Sequence, residues 1–277
     1  MTQLLTRRSA VCAAVCAAVL LVTPGTWAQQ TTDPYKPTVG MAGKDAVWVP
    51  TTEAMVEKML DMAKVTPQDF VMDLGSGDGR MIVAAAKRGA RALGVEYNPD
   101  LVEYSKQQAA KAGVSDKASF AQGDMYAADI SRATVLALFL LPSNLEKLTA
   151  KFLDLKPGSR IVANTFWVQG WEPDEKEVMP DHCDNWCTSL LFIIPAKVAG
   201  RWRTSQGDLS LTQQYQMVDG TLAAGSGTAT TVKGRLRGTQ ITMTIGGAEY
   251  QGTVNGDSME LSSKSGTPSR LTATRVS

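Results

Sequence analysis

Residues 71–80 read VMDLGSGDGR, and the rest of the chain is best understood outward from them. An apolar run from Phe70 carries an acid, Asp73, straight into a loop with glycine at 75, 77 and 79. A second apolar run, Ala92-Leu93-Gly94-Val95, ends in Glu96. A third segment, Ser119 to Gly123, ends in Asp124. Three acids at the ends of three successive predicted strands describe a nucleoside site on an open α/β sheet, whose ligands lie at the carboxyl ends of the strands.

Glycine-rich loops also serve dinucleotide enzymes, so the glycines alone do not select the ligand. Asp73 does. A carboxylate beside a pyrophosphate is repelled, whereas beside an ammonium it is attracted. S-adenosylmethionine carries an ammonium, a sulfonium, a ribose diol and an adenine, and no phosphate. Glu96 is placed to accept from the ribose hydroxyls, and Asp124 to accept from the adenine amino group. The competing reading is of solvated strand-end acids beside structural glycines.

Residues 48–174 resemble a class I S-adenosylmethionine-dependent methyltransferase domain, and within that class the seven-strand protein-lysine methyltransferases of the archaeal and mitochondrial type. The resemblance rests on WVPTTEAMVEKML (48–60), DLGSGDGR (73–80), GVEYNPDLV (94–102), GDMYAADI (123–130), ATVLALFLLPSN (133–144) and LKPGSRIVAN (155–164). It implies cofactor contacts at Asp73, Gly75, Ser76, Gly77, Glu96, Tyr97, Asp124 and Met125, with Pro50 and Thr51 near the methionine end. It also implies a protein lysine as acceptor.

Apolar and glycine patterning extends this organisation. Thr51 or Thr52 caps a predicted helix with apolar positions at 54, 55, 56, 59, 60 and 62. Strands at 69–73, 92–96, 118–122, 134–141 and 159–164 alternate with helices at 80–88, 98–111 and 143–154. That alternation predicts a Rossmann-like, doubly wound, mostly parallel sheet. Ser189–Pro195 is expected to complete it as an antiparallel edge. From Val198 the chain turns rich in Gly, Ser and Thr, with alternating runs at 209–218, 231–238, 239–246, 249–256, 257–263 and 270–276. These predict a small C-terminal all-β barrel or meander. Its Gly200-Arg201-Trp202 opening resembles lipocalin-like barrels. The expected segments are a signal peptide at 1–28, a flexible lead-in at 29–47, the methyltransferase domain at 48–197 and an antiparallel β domain at 198–277.

The amino terminus reads as a secretory signal: Arg7-Arg8, an apolar stretch from Ala10 to Val22, and Thr26-Trp27-Ala28 before the expected cut. The apolar stretch is short for a bilayer span, so no membrane span is expected after cleavage. Subtracting Arg7 and Arg8 from 28 basic residues leaves 26 against 27 acids. A near-neutral chain without a basic run argues against a nucleic-acid partner. In an oxidising compartment Cys183 and Cys187 pair most simply as a disulfide, and zinc held by Asp181, His182, Cys183 and Cys187 is the rival. No metal is expected otherwise.

Phe139, Leu140, Leu141 and Pro142 end the fourth predicted strand, where an acceptor channel would open. Tyr97, Tyr126 and Trp167 are candidates to line it, and no residue is demanded as a general base. Because S-adenosylmethionine is made in the cytoplasm, an exported binding protein that uses the crevice without chemistry stays open. So does an aminopropyltransferase.

Overall fold

The computed structural model describes residues 35–179, 183, 185–225, 227, 229–263 and 270–276. The expected signal peptide, the first residues of the lead-in, Asp181 and His182 lie outside them. The elements run α1 (Glu53–Met62), β1 (Phe70–Leu74), α2 (Arg80–Lys87), β2 (Arg91–Glu96), α3 (Pro99–Lys111), β3 (Ala118–Gln122), β4 (Val135–Leu138), α4 (Pro142–Leu153) and β5 (Arg160–Asn164). Then β6 (Glu175–Val178) and β7 (Thr188–Ile193) complete a seven-stranded sheet of order β3-β2-β1-β4-β5-β7-β6. Strands β1 to β5 are parallel, and β7 is antiparallel to β5 and to β6. This is the Rossmann-like α/β sheet expected from the alternation of strands and helices.

Helix ends follow local chemistry. Thr52 caps α1 by accepting from the Met55 amide at 3.3 Å. Asn98 caps α3 ahead of Pro99, whose missing N–H costs nothing in a first turn. The sheet is covered on both faces. Met55, Leu60, Ile82 and Ala85 pack on one side, and Leu145, Leu148, Phe152 and Phe192 on the other. No helix among the described residues is long and apolar enough to cross a membrane.

Two expectations need correction. Strand β4 stops at Leu138, because Phe139–Leu141 leave the sheet and Leu141 becomes the residue before α4. Strand β7 is antiparallel but not the edge, since β6 flanks it. The Glu175-Lys176-Glu177-Val178 segment is mostly exposed. It therefore has the weak apolar signal of an edge strand, and sequence patterning passes over it.

The C-terminal part is a closed eight-stranded antiparallel barrel: β8 (Gly200–Thr204), β9 (Gly207–Gln214), β10 (Met217–Ala223), β11 (Thr230–Arg237), β12 (Gln240–Ile245), β13 (Ala248–Asn255), β14 (Ser258–Ser263) and β15 (Arg270–Arg275). The 209–218 run is a hairpin rather than one strand, because Tyr215 takes a left-handed backbone (φ 52°) and reverses the chain. Inward residues such as Trp202, Val232, Leu236 and Leu261 are fully buried, so the interior is a packed core. The Arg275 guanidinium sits 4.4 Å above the Trp202 ring. It also donates to the Ala199 and Lys197 carbonyls, each at 2.6 Å, across the seam where β15 meets β8.

At the amino ends of β1, β4 and β5, Asp69 pairs with Arg160 and accepts from Thr134 Oγ1 at 2.7 Å and from the Thr66 amide at 2.8 Å. Arg160 also donates to the Ala63 carbonyl at 2.7 Å. Burial pushes the Asp69 carboxyl up, but these hydrogen bonds and the Arg160 charge outweigh it and hold the group below its ordinary value. A depressed carboxyl stabilises the fold above its unfolded pKa and loses that effect as pH falls through the folded value. Asp69→Ala should cost about 3 kcal/mol at neutral pH, the low end for breaking a buried pair, because Arg160 is partly exposed. Urea unfolding as a function of pH checks this. The gap between variant and wild type should close in acid, and a constant gap would rule out the ion pair as its source.

Candidate functional site

The parallel register sets Asp73 opposite Gly94 and Glu96 opposite Gln122, so the acids emerge together at the carboxyl end of the sheet. The glycine loop is bound back onto β2, the Gly75 and Ser76 amides donating to the Val95 carbonyl at 2.8 and 3.1 Å. The Glu96 carboxylate is held at both oxygens. The Gly77 amide donates to Oε2 and the Asn98 amide to Oε1, each at 2.9 Å. Gly77 has φ +54°, and a Cβ there would lie 2.3 Å from the Trp48 indole nitrogen. Only glycine lets the loop and Trp48 share this space.

Two adjoining cavities open at this edge. The larger, about 310 Å³, is bounded by Glu96, Tyr97, Asp124 and Met125 on one side and by Phe139, Leu141, Phe166 and Trp186 on the other. The smaller, about 40 Å³, is bounded by Pro50, Thr51, Asp73, Ser76, Gly77 and Asp78. Trp48, Val49, Gly75 and Phe139 belong to both. Every residue expected to contact a cofactor thus lines one of these adjoining cavities: Glu96, Tyr97, Asp124 and Met125 the larger, Pro50, Thr51, Asp73, Ser76 and Gly77 the smaller, and Gly75 both. Thr51 is fixed by its carbonyl, which accepts from Arg80 at 2.8 Å, and Arg80 is itself paired with Asp78 at 2.6 Å.

Asp73 is 8% exposed, and among the described residues no donor or cation pairs with its carboxyl group. Burial first, and then the charges of Glu96 and Asp78, push that carboxyl up to about 8. A buried acid beside two others, without a counter-charge, fits a ligand ammonium. The Ser76 hydroxyl, which lines the same cavity, is buried and also has no hydrogen-bond partner among the described residues. Asp124 differs. Its Oδ2 accepts from Lys44 Nζ and its Oδ1 from the Tyr126 amide, at 2.8 and 2.9 Å. The Lys44 hydrogen bond chiefly holds Asp124 below the usual carboxylate range, and Lys44 is raised in return.

Lys44 belongs to the stretch expected to be a flexible lead-in. Instead the Gly40 amide donates to the Trp48 carbonyl and the Trp48 amide to Met41, both at 2.9 Å, forming a closed turn. Residues 42–49 wall the larger cavity. Periodicity could not show this, because the segment is held by the site rather than by an apolar face of its own. Phe139 borders both cavities as expected, and of Tyr97, Tyr126 and Trp167 only Tyr97 borders the crevice. Trp167 is stacked on Phe192 at 3.8 Å, partly buried against the core, and the Tyr126 hydroxyl is buried. Phe166, Trp186, Trp48 and Asn144 take the positions that were expected of them.

Comparison with known proteins agrees with this geometry. The family model of the ANTKMT methyltransferase domain matches residues 73–175. A protein-lysine N-methyltransferase of Saccharolobus islandicus (strain REY15A) is 44% identical over 131 residues, which span 46% of this chain and 81% of that protein. The chain belongs to the class I S-adenosylmethionine-dependent methyltransferases. The adenine nucleotide translocase lysine N-methyltransferase of Mus musculus is 34% identical over 128 residues, which span 46% of this chain and little more than half, 56%, of that protein. The crystal structure of an RNA methyltransferase from Salinibacter ruber in complex with S-adenosyl-L-homocysteine superposes with a TM-score of 0.51 at 41% identity, covering 54% of this chain and 96% of that one. The protein is therefore an S-adenosylmethionine-dependent methyltransferase, and the non-catalytic reading of the crevice falls away.

Cys183 and Cys187 are joined by a disulfide, which removes both as thiolate ligands for the rival zinc site.

The acids make the site testable by pH and by substitution. Asp73 must lose its proton to pair with an ammonium, so cofactor affinity should weaken as pH drops below about 8. In the free protein a raised carboxyl pKa has the opposite effect on stability. The folded state keeps a proton that the unfolded chain gives up, so stability falls between pH ~4 and ~8. Asp73→Asn should flatten both profiles, gaining stability while losing affinity. Calorimetric titration and thermal unfolding from pH ~6 to ~9 check it, and parallel profiles for variant and wild type would exclude Asp73 as the titrating group. Separately, Glu96→Ala should weaken cofactor binding by about 1.5–3 kcal/mol, tenfold to a hundredfold. Unchanged titration curves would remove Glu96 from the site.

Proposed function

We propose that this methyltransferase modifies the side-chain amine of protein lysine, and that it does so outside the cytoplasm once residues 1–28 are removed. The observation that carries the acceptor is the apolar, aromatic end of the larger cavity, formed by Phe139, Leu141, Phe166 and Trp186 beside the glycine loop. A linear apolar chain ending in an amine suits such a wall. Desolvation there lowers the amine pKa and favours the neutral, nucleophilic form. The protein-lysine and adenine nucleotide translocase lysine methyltransferases among its relatives support the same acceptor class.

Asp73, Ser76 and the amides of the glycine loop would hold the amino-acid end of S-adenosylmethionine, and Glu96 its ribose. When bound, the cofactor supplies a methyl group on a sulfonium. The acceptor nitrogen would supply the lone pair for the new N–C bond, and the S–C electron pair would stay with the cofactor's sulfur. Positive charge thereby moves to nitrogen, which sheds a proton to solvent. A neutral amine brings its own lone pair, so the chain's contribution is alignment and exclusion of water. Support for export comes from the Arg7-Arg8, apolar and Thr26-Trp27-Ala28 pattern, together with the Cys183–Cys187 disulfide.

The RNA methyltransferase similarity gives the competing acceptor. Incubating the protein with tritiated cofactor and cell extract, then hydrolysing the products, distinguishes them. Label should appear as Nε-methylated lysine. Label confined to nucleotides would reject the protein acceptor. Mass spectrometry of protein isolated from its natural host should find Gln29 at the amino terminus, and an intact Met1 end would reject export.

A further inference from the structure

Trp186 reaches the crevice from just before β7, and the described residues around it are held by several ties. The Met179 amide donates to the Cys187 carbonyl at 2.8 Å, and Cys183 is covalently tied to Cys187. Between these ties Trp186 takes a left-handed backbone, φ +57°, which a bulky L-residue rarely adopts. Thr165, next to Phe166 and donating its amide to the Thr188 carbonyl at 2.7 Å, is also left-handed at φ +61°. Strain of this kind persists where surrounding structure over-determines it, and it concentrates at ligand sites.

The side chain is placed as unusually as the backbone. Trp186 is 41% exposed, although a large apolar ring gains most by burial. It meets Phe139 edge-on at 5.7 Å, and Phe139 lies nearly parallel to Phe166 at 6.1 Å and 7°. These three rings border the larger cavity, where β4 delivers Phe139. The spacing between Phe139 and Phe166 leaves no room to sandwich a nucleobase, which needs about 7 Å between two rings. A ring face does attract an alkylammonium, most strongly when the face is that of tryptophan. Trp186, Cys183 and Cys187 all lie beyond residue 175, where the match to the family model ends.

We propose that Trp186 is a specificity-determining residue of the acceptor site. With Phe139 and Phe166 it forms an aromatic mouth that admits a lysine side chain and holds the positive nitrogen left by each transfer, and the Cys183–Cys187 bridge positions it there. This rests on the lysine reading above. Retention in the mouth keeps the methylated nitrogen beside the cofactor site until it has shed its proton to solvent, so that a further transfer to the same nitrogen competes with release.

The test uses the full chain, tritiated S-adenosylmethionine, and two probes, poly-L-lysine and total RNA. Wild type should label poly-L-lysine. Trp186→Ala should raise the KM for poly-L-lysine at least tenfold and lower the share of di- and trimethyl-lysine, with cofactor affinity by calorimetry unchanged within twofold. Binding of poly-L-lysine in the presence of S-adenosylhomocysteine should weaken by a similar factor. Trp186→Phe should restore most of the loss and Trp186→Leu should not, which separates attraction to the ring face from simple apolar packing. Cys183→Ser with Cys187→Ser should raise the KM too, but add nothing to Trp186→Ala. Label on poly-L-lysine with an unchanged KM in Trp186→Ala, or equal rescue by leucine, overturns the role of Trp186 alone. Label on RNA only, or on neither probe while the cofactor binds normally, overturns the lysine reading and this assignment together.

Discussion

The site depends on the way two backbone amides, those of Gly77 and Asn98, hold the two oxygens of the Glu96 carboxylate. One amide comes from the loop after β1 and the other from the turn after β2, so a single side chain ties the two strand ends together. The tie exists because β1 and β2 are parallel and in register, so that Asp73 lies opposite Gly94 and the chain after Leu74 folds back on Val95. Glu96 is thus oriented before any ligand arrives. A ligand diol then meets a fixed acceptor, and little further order has to be imposed on binding.

Asp73 is the cost of the same arrangement. Placing it at the end of a buried strand, beside Glu96 and Asp78, removes it from water without a counter-charge. The fold tolerates this because β1 is packed on both faces by its helices, and because the opposite end of the sheet is held by the Asp69–Arg160–Thr134 network. The two ends of β1 therefore do opposite things with an aspartate. Asp69 accepts from several donors and its carboxyl is depressed, whereas Asp73 has none among the described residues and its carboxyl is raised.

The barrel packs on the segment between β5 and β6 and on the start of β6. Gln216 donates to the Glu172 carbonyl at 2.6 Å, Arg235 reaches Asp174 at 3.2 Å, and Arg237 pairs with Glu175. Tyr215, left-handed at the β9–β10 turn, stacks on Trp171 at 4.7 Å and 8°. Asp174 in turn accepts from the Ile193 amide at 2.8 Å at the end of β7. The segment so braced begins at Phe166 and leads into the hairpin that carries Trp186, so barrel packing and the shape of the aromatic mouth share the same residues.

The sequence alone determined the parallel sheet, the acids at its carboxyl edge and the all-β character of the tail. These follow from local rules: apolar runs ending in acids, glycines where φ must be positive, and strict alternation such as that of Gln240–Ile245. Strand-end position marked Asp73, Glu96 and Asp124, and the family resemblance added Pro50, Thr51, Ser76, Tyr97 and Met125, all of which line the crevice. The tertiary structure alone decided which side chains close the crevice. Lys44 comes from the polar lead-in, Trp48 from the first residue after it, and Phe166 and Trp186 from loops that flank β6, and long-range contacts set their place, Lys44 with Asp124 across 80 residues among them. Edge strand β6 was hidden for a related reason: a strand that buries little carries little apolar signal. Trp167 and Tyr126 turned inward because an aromatic ring gains more from a packed core than from a solvent-open mouth, and sequence cannot say which of several nearby rings wins that place.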